Sequence, residues 1–179
     1  MESHRLPVLA VLGAGSATPD EERAAEAVGA LAARHGWVLL TGGGPGVMAA
    51  ASRGAVEAGG LTVGVLPTEA AISGYPNPWV NVPIFTGAGM ARNAFNVLSA
   101  TLCVAIGGGA GTLSEIGLAL KAGVPVWCLQ SWTVVPPAGR SVQPARVYDD
   151  RSELLADLET VLACDRADSK PTTKDAGRR

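Results

Sequence analysis

Six short apolar runs recur along the chain, separated by stretches with helical spacing. They span residues 6–12, 37–41, 61–66, 80–85, 102–106 and 124–129. Each is apolar at nearly every position, without in/out alternation. Strands covered on both faces by helices read this way. The intervening stretches supply those helices. Thr18-Pro19-Asp20-Glu21 offers an N-cap, a proline in the first turn and a carboxylate three residues after the cap. His35 and Gly36 close that helix. Residues 46–58 are rich in Ala and Gly nearly all round, which predicts close packing on the sheet. A third helix is predicted near 90–100. A fourth starts at Thr112 and ends near Lys121, Ala122 and Gly123. Residues 152–162 carry Leu154, Leu155, Leu158, Val161 and Leu162 on one face.

Strand and helix in alternation predict an α/β fold with three layers. Its parallel sheet has six or seven strands, right-handed crossovers and an order near 3-2-1-4-5-6. Two proline-bearing stretches, 67–79 and 130–148, break the rhythm and read as lid or interface loops. Trp79 and Trp132 lie in them and suit apolar packing or base stacking. No internal repeat is present. One domain over residues 1–165 and a disordered tail over 166–179 are expected.

Composition narrows the function. Of 179 residues, 47% are apolar and only 17% charged, which excludes disorder over most of the chain. Aromatics at 4% argue against a base-stacking nucleic-acid binder. Residues 1–165 hold nine Lys/Arg and fourteen Asp/Glu, a net −5 that disfavours a long phosphate backbone. The tail holds five and two, a net +3. The three lysines are Lys121, Lys170 and Lys174, which weakens any Schiff-base mechanism. Cys103, Cys128 and Cys164 match no metal-ligand spacing, so no metal site is expected. Cys103 and Cys128 sit in apolar runs as small core residues, and unpaired thiols fit a cytoplasmic setting. No apolar stretch reaches 18 residues, so neither a signal peptide nor a membrane span is expected. His4 and His35, the two histidines, read as solvated, which leaves little for a Ser–His–Asp hydrolase.

The glycines are concentrated after the strands. Gly13-Ala14-Gly15-Ser16, Gly42-Gly43-Gly44-Pro45-Gly46, Gly87-Ala88-Gly89 and Gly107-Gly108-Gly109-Ala110-Gly111 each follow an apolar run. In a parallel sheet all four lie at the carboxyl edge, where such sheets bind ligands. Each also leads into a helix start, whose free N–H groups favour an anion such as phosphate. Known phosphate motifs fail, however. Thr18 stands where the dinucleotide fingerprint needs its third glycine, and no acidic residue ends the second run. No Gly-Lys-Ser/Thr of a P-loop occurs.

The stretch Gly107-Gly108-Gly109-Ala110-Gly111-Thr112-Leu113-Ser114-Glu115 resembles the Pro-Gly-Gly-x-Gly-Thr-x-x-Glu motif of the Lonely Guy (LOG) proteins. That family was long mislabelled as lysine decarboxylases. Gly42-Gly43-Gly44-Pro45-Gly46-Val47-Met48 looks like its earlier glycine element, and Thr86-Gly87-Ala88-Gly89-Met90-Ala91-Arg92-Asn93 like a third. The resemblance covers residues 6–130. It implies a Rossmann-like fold, a nucleotide or phosphate pocket, and a homodimer or homotetramer. It implies no pyridoxal phosphate and no cofactor required for folding. In the family's phosphoribohydrolases an Arg and the motif Glu act, matching Arg92 and Glu115 here. Three features depart from those enzymes: Gly107 in place of the motif proline, a glycine element one residue shorter, and Asn93 after Arg92. They look closer to a sister branch that includes the molybdenum cofactor carrier proteins.

The expected function is therefore a phosphate-anchoring binding protein for a nucleotide or pterin such as molybdenum cofactor. The alternative is a nucleoside 5′-monophosphate phosphoribohydrolase. The expected ligand residues are Gly15, Ser16, Gly43, Gly44, Gly46, Arg92, Asn93, Gly108, Gly109, Gly111, Thr112 and Glu115. Several keep two readings. Thr112-x-x-Glu115 is also a capping box. Arg92 at a helix start opposes the dipole, which favours an anion partner. Asn93 suits a first-turn cap or a polar contact, and Ser16 and Thr41 either meet phosphate or shape turns.

Overall fold

In the computed structural model, residues 5–138 and 145–168 are described. In chain order they form β1 (Val8–Gly13), α1 (Pro19–Arg34), β2 (Val38–Thr41), α2 (Val47–Glu57), β3 (Thr62–Leu66) and β4 (Val82–Phe85). A 3₁₀ turn (Gly89–Ala91) then leads into α3 (Arg92–Leu98). After it come β5 (Leu102–Ile106), α4 (Ala110–Ala122), β6 (Val126–Leu129), β7 (Arg146–Tyr148) and α5 (Arg151–Asp168). His4 and the tail from residue 169 lie outside the described residues. So do residues 139–144 of the second irregular stretch.

All six strand pairings are parallel, in the order β4-β3-β2-β1-β5-β6-β7. The Rossmann-like three-layer architecture is as expected, with one correction to the order. The fourth strand pairs outside β3 rather than beside β1. Thr62 pins it there. Its hydroxyl donates to the Trp79 carbonyl at 2.6 Å, and the Asn81 N–H donates to that hydroxyl at 2.8 Å. Strand order therefore reverses between β1 and β5, which is where open sheets of this kind bind ligands.

Alternate residues of the strands feed two cores. Leu9, Val11, Leu39, Val104, Ile106 and Leu129 pack under α1, α2 and α5. Ala10, Leu12, Leu40, Val65, Cys103, Ala105 and Cys128 pack under α3 and α4. Burial pushes the Cys103 thiol up to about 12 and the Cys128 thiol up to about 11, as core residues behave. Helices α1 and α2 touch backbone to backbone. A Cβ on Gly29 would lie 2.0 Å from the Ala51 carbonyl oxygen, and one on Gly54 2.1 Å from that of Glu26. No side chain fits at either crossing point.

The short edge strand β7 falls inside the stretch read as irregular. Its Arg146 guanidinium stacks 5.1 Å from the Trp127 ring, and Tyr148 meets that ring at 5.6 Å. His35 is not solvated: its side chain is 15% exposed and its Nε2 pairs with Glu159 on α5 at 2.8 Å. Helix α5 continues to Asp168, past the predicted end at 162 and into the stretch expected to be tail. Among the described residues no helix is long and apolar enough to cross a membrane.

Candidate functional site

Three of the four glycine turns follow β1, β2 and β5, and the fourth leads through the 3₁₀ turn into α3. At the β1/β5 switch point lies a cleft of about 290 Å³. Turns from β1 and β2 supply Gly13, Ala14, Gly15 and Gly42, α2 supplies Met48, and α3 supplies Arg92 and Asn93. Gly109, Gly111, Thr112 and Glu115 come from the start of α4.

Seven of the twelve expected ligand residues thus meet in one cleft. The other five do not line it. Gly43 has φ +74°, and a Cβ there would lie 2.4 Å from the Leu66 side chain. Its N–H donates to Thr41 Oγ1 at 3.1 Å, so Thr41 shapes the turn. Gly44 is covered by Tyr75 and Met48, whose atoms lie 2.7 and 2.8 Å from where its Cβ would be. Gly46 packs on the Ala14 and Gly15 carbonyls, and Gly108 on Thr112. Ser16 is exposed. From the second turn it is Gly42 that borders the cleft. A Cβ on it would lie 2.5–2.6 Å from the Arg92 guanidinium, which rests on that bare backbone.

The two irregular stretches reach these turns. The Asn77 N–H donates to the Gly43 carbonyl at 2.8 Å, and its side-chain amide donates to that of Gly44 at 2.9 Å. The Trp132 indole N–H donates to the Gly109 carbonyl at 3.2 Å. Trp132 therefore supports the third turn with its polar edge.

Glu115 does not cap α4. The N-cap of this helix is Gly109, three residues before the Thr112 N-cap that a capping box needs, and no side chain caps it. Glu115 then falls in the second turn, too far along to reach a cap. Its Oε1 accepts from the Asn96 amide at 2.8 Å and lies 3.4 Å from Arg92 Nη1. Arg92 and Asn96 are one helical turn apart on α3 and so share a face. Asn93 meets α4 one residue earlier, donating to Ser114 Oγ at 2.9 Å. Glu115 is 5% exposed, and burial pushes its carboxyl above the ordinary carboxylate range. The Asn96 hydrogen bond and the Arg92 charge pull it back down.

Sequence reasoning missed Asn96 and Asn77, named Gly42 only as part of its cluster, and read Trp132 for packing or stacking rather than for its hydrogen bond. Asn96 was open to discovery as a polar residue four positions after Arg92 on a short helix. The others depend on how distant loops fold back. Among the described residues no group of three or more His, Cys, Asp or Glu could hold a metal ion.

Known proteins agree with this architecture. The chain is 40% identical over 151 residues to an uncharacterized protein of Archaeoglobus fulgidus, covering 84% of this chain and 93% of that one. The molybdenum cofactor binding protein from the phototrophic bacterium Rippkaea orientalis is similar in structure. Its TM-score is 0.69 at 42% identity, covering 88% of this chain and 87% of that one. The molybdenum cofactor carrier protein of Chlamydomonas reinhardtii gives a TM-score of 0.73 at 38% identity, covering 89% and 99%. The model of the SLOG cluster4 family matches residues 6–159, and the chain belongs to that family.

Proposed function

We propose that this cleft anchors the phosphate of a small pterin or nucleotide cofactor, and that the protein carries or stores molybdenum cofactor. One observation carries the reading. The N-terminus of α4 has no side-chain cap and no acidic residue in its first turn, and it opens into the cleft that holds Arg92. Unpaired N–H groups, the positive end of the dipole and a guanidinium suit a phosphate together. The cofactor fits the residues present. Gly42 leaves the guanidinium uncovered by any side chain of its own, and Glu115 offers an acceptor for ring N–H groups or hydroxyls. A volume of about 290 Å³ sits near the lower end of the range for small-molecule sites, ~300–1,000 Å³.

The protein's part is binding and orientation, and the bound cofactor would supply the metal and pterin chemistry. Similarity to a molybdenum cofactor binding protein and a carrier protein supports the same reading. No pyridoxal phosphate role is assigned, since the described lysine, Lys121, sits in the last turn of α4. A cytoplasmic, homodimeric or homotetrameric protein without nucleic-acid or membrane partners completes the proposal. Self-association is supported by exposed apolar side chains on β4 and around α3. Val82, Ile84 and Phe85 of edge strand β4 are exposed, as are Met90, Phe95 and Leu98 at 90%, 46% and 68%. Light scattering on a size-exclusion column measures the assembly.

Calorimetric titration of the purified protein with molybdenum cofactor under anaerobic conditions tests the main reading. Saturable one-to-one binding per chain is expected, and no heat of binding would refute it. The placement of Glu115 in the cleft beside Arg92 favours a second reading, a phosphoribohydrolase. There Glu115 would stabilise an oxocarbenium-like centre as the N-glycosidic bond breaks. Incubation with AMP and assay of free adenine separates the two. Catalytic release of adenine overturns the carrier reading.

A further inference from the structure

Asn96 is 1% exposed and lies on the face of α3 that packs against α4. Its neighbour Val97 fills the core with an ordinary apolar side chain. Asn96 does not use its full hydrogen-bonding capacity. Its Nδ2 donates to Glu115 Oε1 at 2.8 Å, whereas its Oδ1 is buried with no partner among the described residues. A buried unsatisfied carbonyl destabilises a fold, and a leucine of similar size would avoid the penalty. The amide oxygen is left without a partner, and the one bond Asn96 makes goes to the carboxylate of the cleft.

That bond decides which Glu115 oxygen is left over. Oε1 is shared by Asn96 and Arg92. Among the described residues no donor reaches Oε2, and Oε2 is not fully buried, while Glu115 lines the cleft. Arg92 reaches Oε1 at only 3.4 Å, a weak contact that a ligand phosphate can outcompete. With Asn96 in place, Glu115 keeps its orientation when Arg92 turns to the ligand.

We propose that Asn96 is a positioning residue: it holds Glu115 through Oε1, so that Oε2 accepts from the ligand's N–H or O–H groups while Arg92 takes its phosphate. The proposal rests on the reading of this cleft as the ligand site. The charged and titratable neighbours of Glu115 are Arg92 on α3 and the Cys103 thiol on β5.

The test uses Asn96→Leu and Asn96→Ala in the full chain, with three readouts. The first is the thermal midpoint. It shows which variants fold, and near neutral pH each should melt below the wild type because the buried Glu115 carboxylate loses its donor, with the deficit shrinking in acid where that carboxyl is protonated. The second is the titration of Glu115, followed by NMR of ¹³C-labelled glutamate and assigned with Glu115→Gln. In both variants it should move to higher pH, since the donor that favours the ionised form is gone. The third is calorimetry with AMP as probe. Affinity should fall about tenfold, the loss expected for one charge-assisted hydrogen bond. A wild type that ignores AMP counts against the phosphate reading, and the titration still decides on Asn96. An unchanged Glu115 titration in a folded variant overturns the proposal. If neither variant folds, Asn96 is structural and the proposal falls.

Discussion

Helices α1 and α4 both start at the carboxyl edge of the same sheet, one after β1 and the other after β5, yet their first turns are built in opposite ways. Thr18 caps α1. Its Oγ1 accepts from the Glu21 N–H at 3.3 Å, and Glu21 returns the bond by accepting from the Thr18 N–H at 2.7 Å. Asp20, Glu21 and Glu22 place three carboxylates in that turn. The helix has consumed its own anion site. Helix α4 starts on Gly109 with no cap and no acid, and beside it stand Arg92 and a carboxylate held by Asn96. Two helix starts of similar topology therefore differ in whether a side chain caps their N–H groups.

The two starts also touch. A Cβ on Gly107, whose φ is +51°, would lie 1.7 Å from Glu21 Oε1. The turn that feeds the open helix thus runs against the carboxylate that closes the other. This gives a physical reason for glycine where the resembled motif has proline.

The largest predicted effect falls on the open start. Arg92→Ala should weaken AMP binding by about 1.5–3 kcal/mol, the scale of hydrogen bonds to a charged group. Calorimetry reads it, and an unchanged affinity would erase the asymmetry. Next comes the contact between the starts. Gly107→Ala should lower unfolding free energy by about 1–3 kcal/mol, from positive-φ strain and a displaced Glu21. Urea denaturation measures this, and a neutral result would uncouple the two turns. Thr18→Ala should remove about 0.5–2 kcal/mol of stability and leave AMP affinity intact, as expected of a cap with no ligand role. A loss of affinity there would mean that α1 also serves the ligand.

The smallest effect is in pH. Burial raises the folded-state value for Glu115 above the unfolded one, so the folded chain binds the proton more tightly. The resulting stability is fully present below the unfolded value of about 4 and is lost as pH rises through the raised value. The wild type minus Glu115→Gln difference in unfolding free energy should fall across that window and then level. A flat difference would place Glu115 in a solvated setting.

Much of this contrast was readable from residue types alone. The Thr18–Glu21 box is local, four residues long, and forms as the spacing predicts. The six apolar runs became β1–β6; five are largely buried between the helix layers, whereas the fourth, β4, is an edge strand with its side chains exposed, and the glycine clusters shared an edge because parallel strands force it. Arg92 stood out because a cation at a helix start gains nothing from the dipole. What stayed hidden depends on contacts between distant residues. The place of β4 is decided by Thr62 meeting Trp79 and Asn81, nineteen positions away at most. The three-residue β7 is held by Arg146 and Tyr148 on Trp127, which no periodicity announces. Thr112-x-x-Glu115 imitates a cap, and only the actual start at Ala110 moves the glutamate into the cleft. Gly42 is set apart by the Arg92 guanidinium that lies over it, a contact made from another helix.

The central claim is that phosphate binds at the start of α4 and not at that of α1. Amide ¹H–¹⁵N spectra recorded during titration with inorganic phosphate test it residue by residue. The amides of Gly111 and Thr112 should shift saturably together with the Arg92 side-chain signals, while those of Glu21 and Glu22 stay in place. Saturable shifts at Glu21 and Glu22, or none at Gly111 and Thr112, would contradict the account.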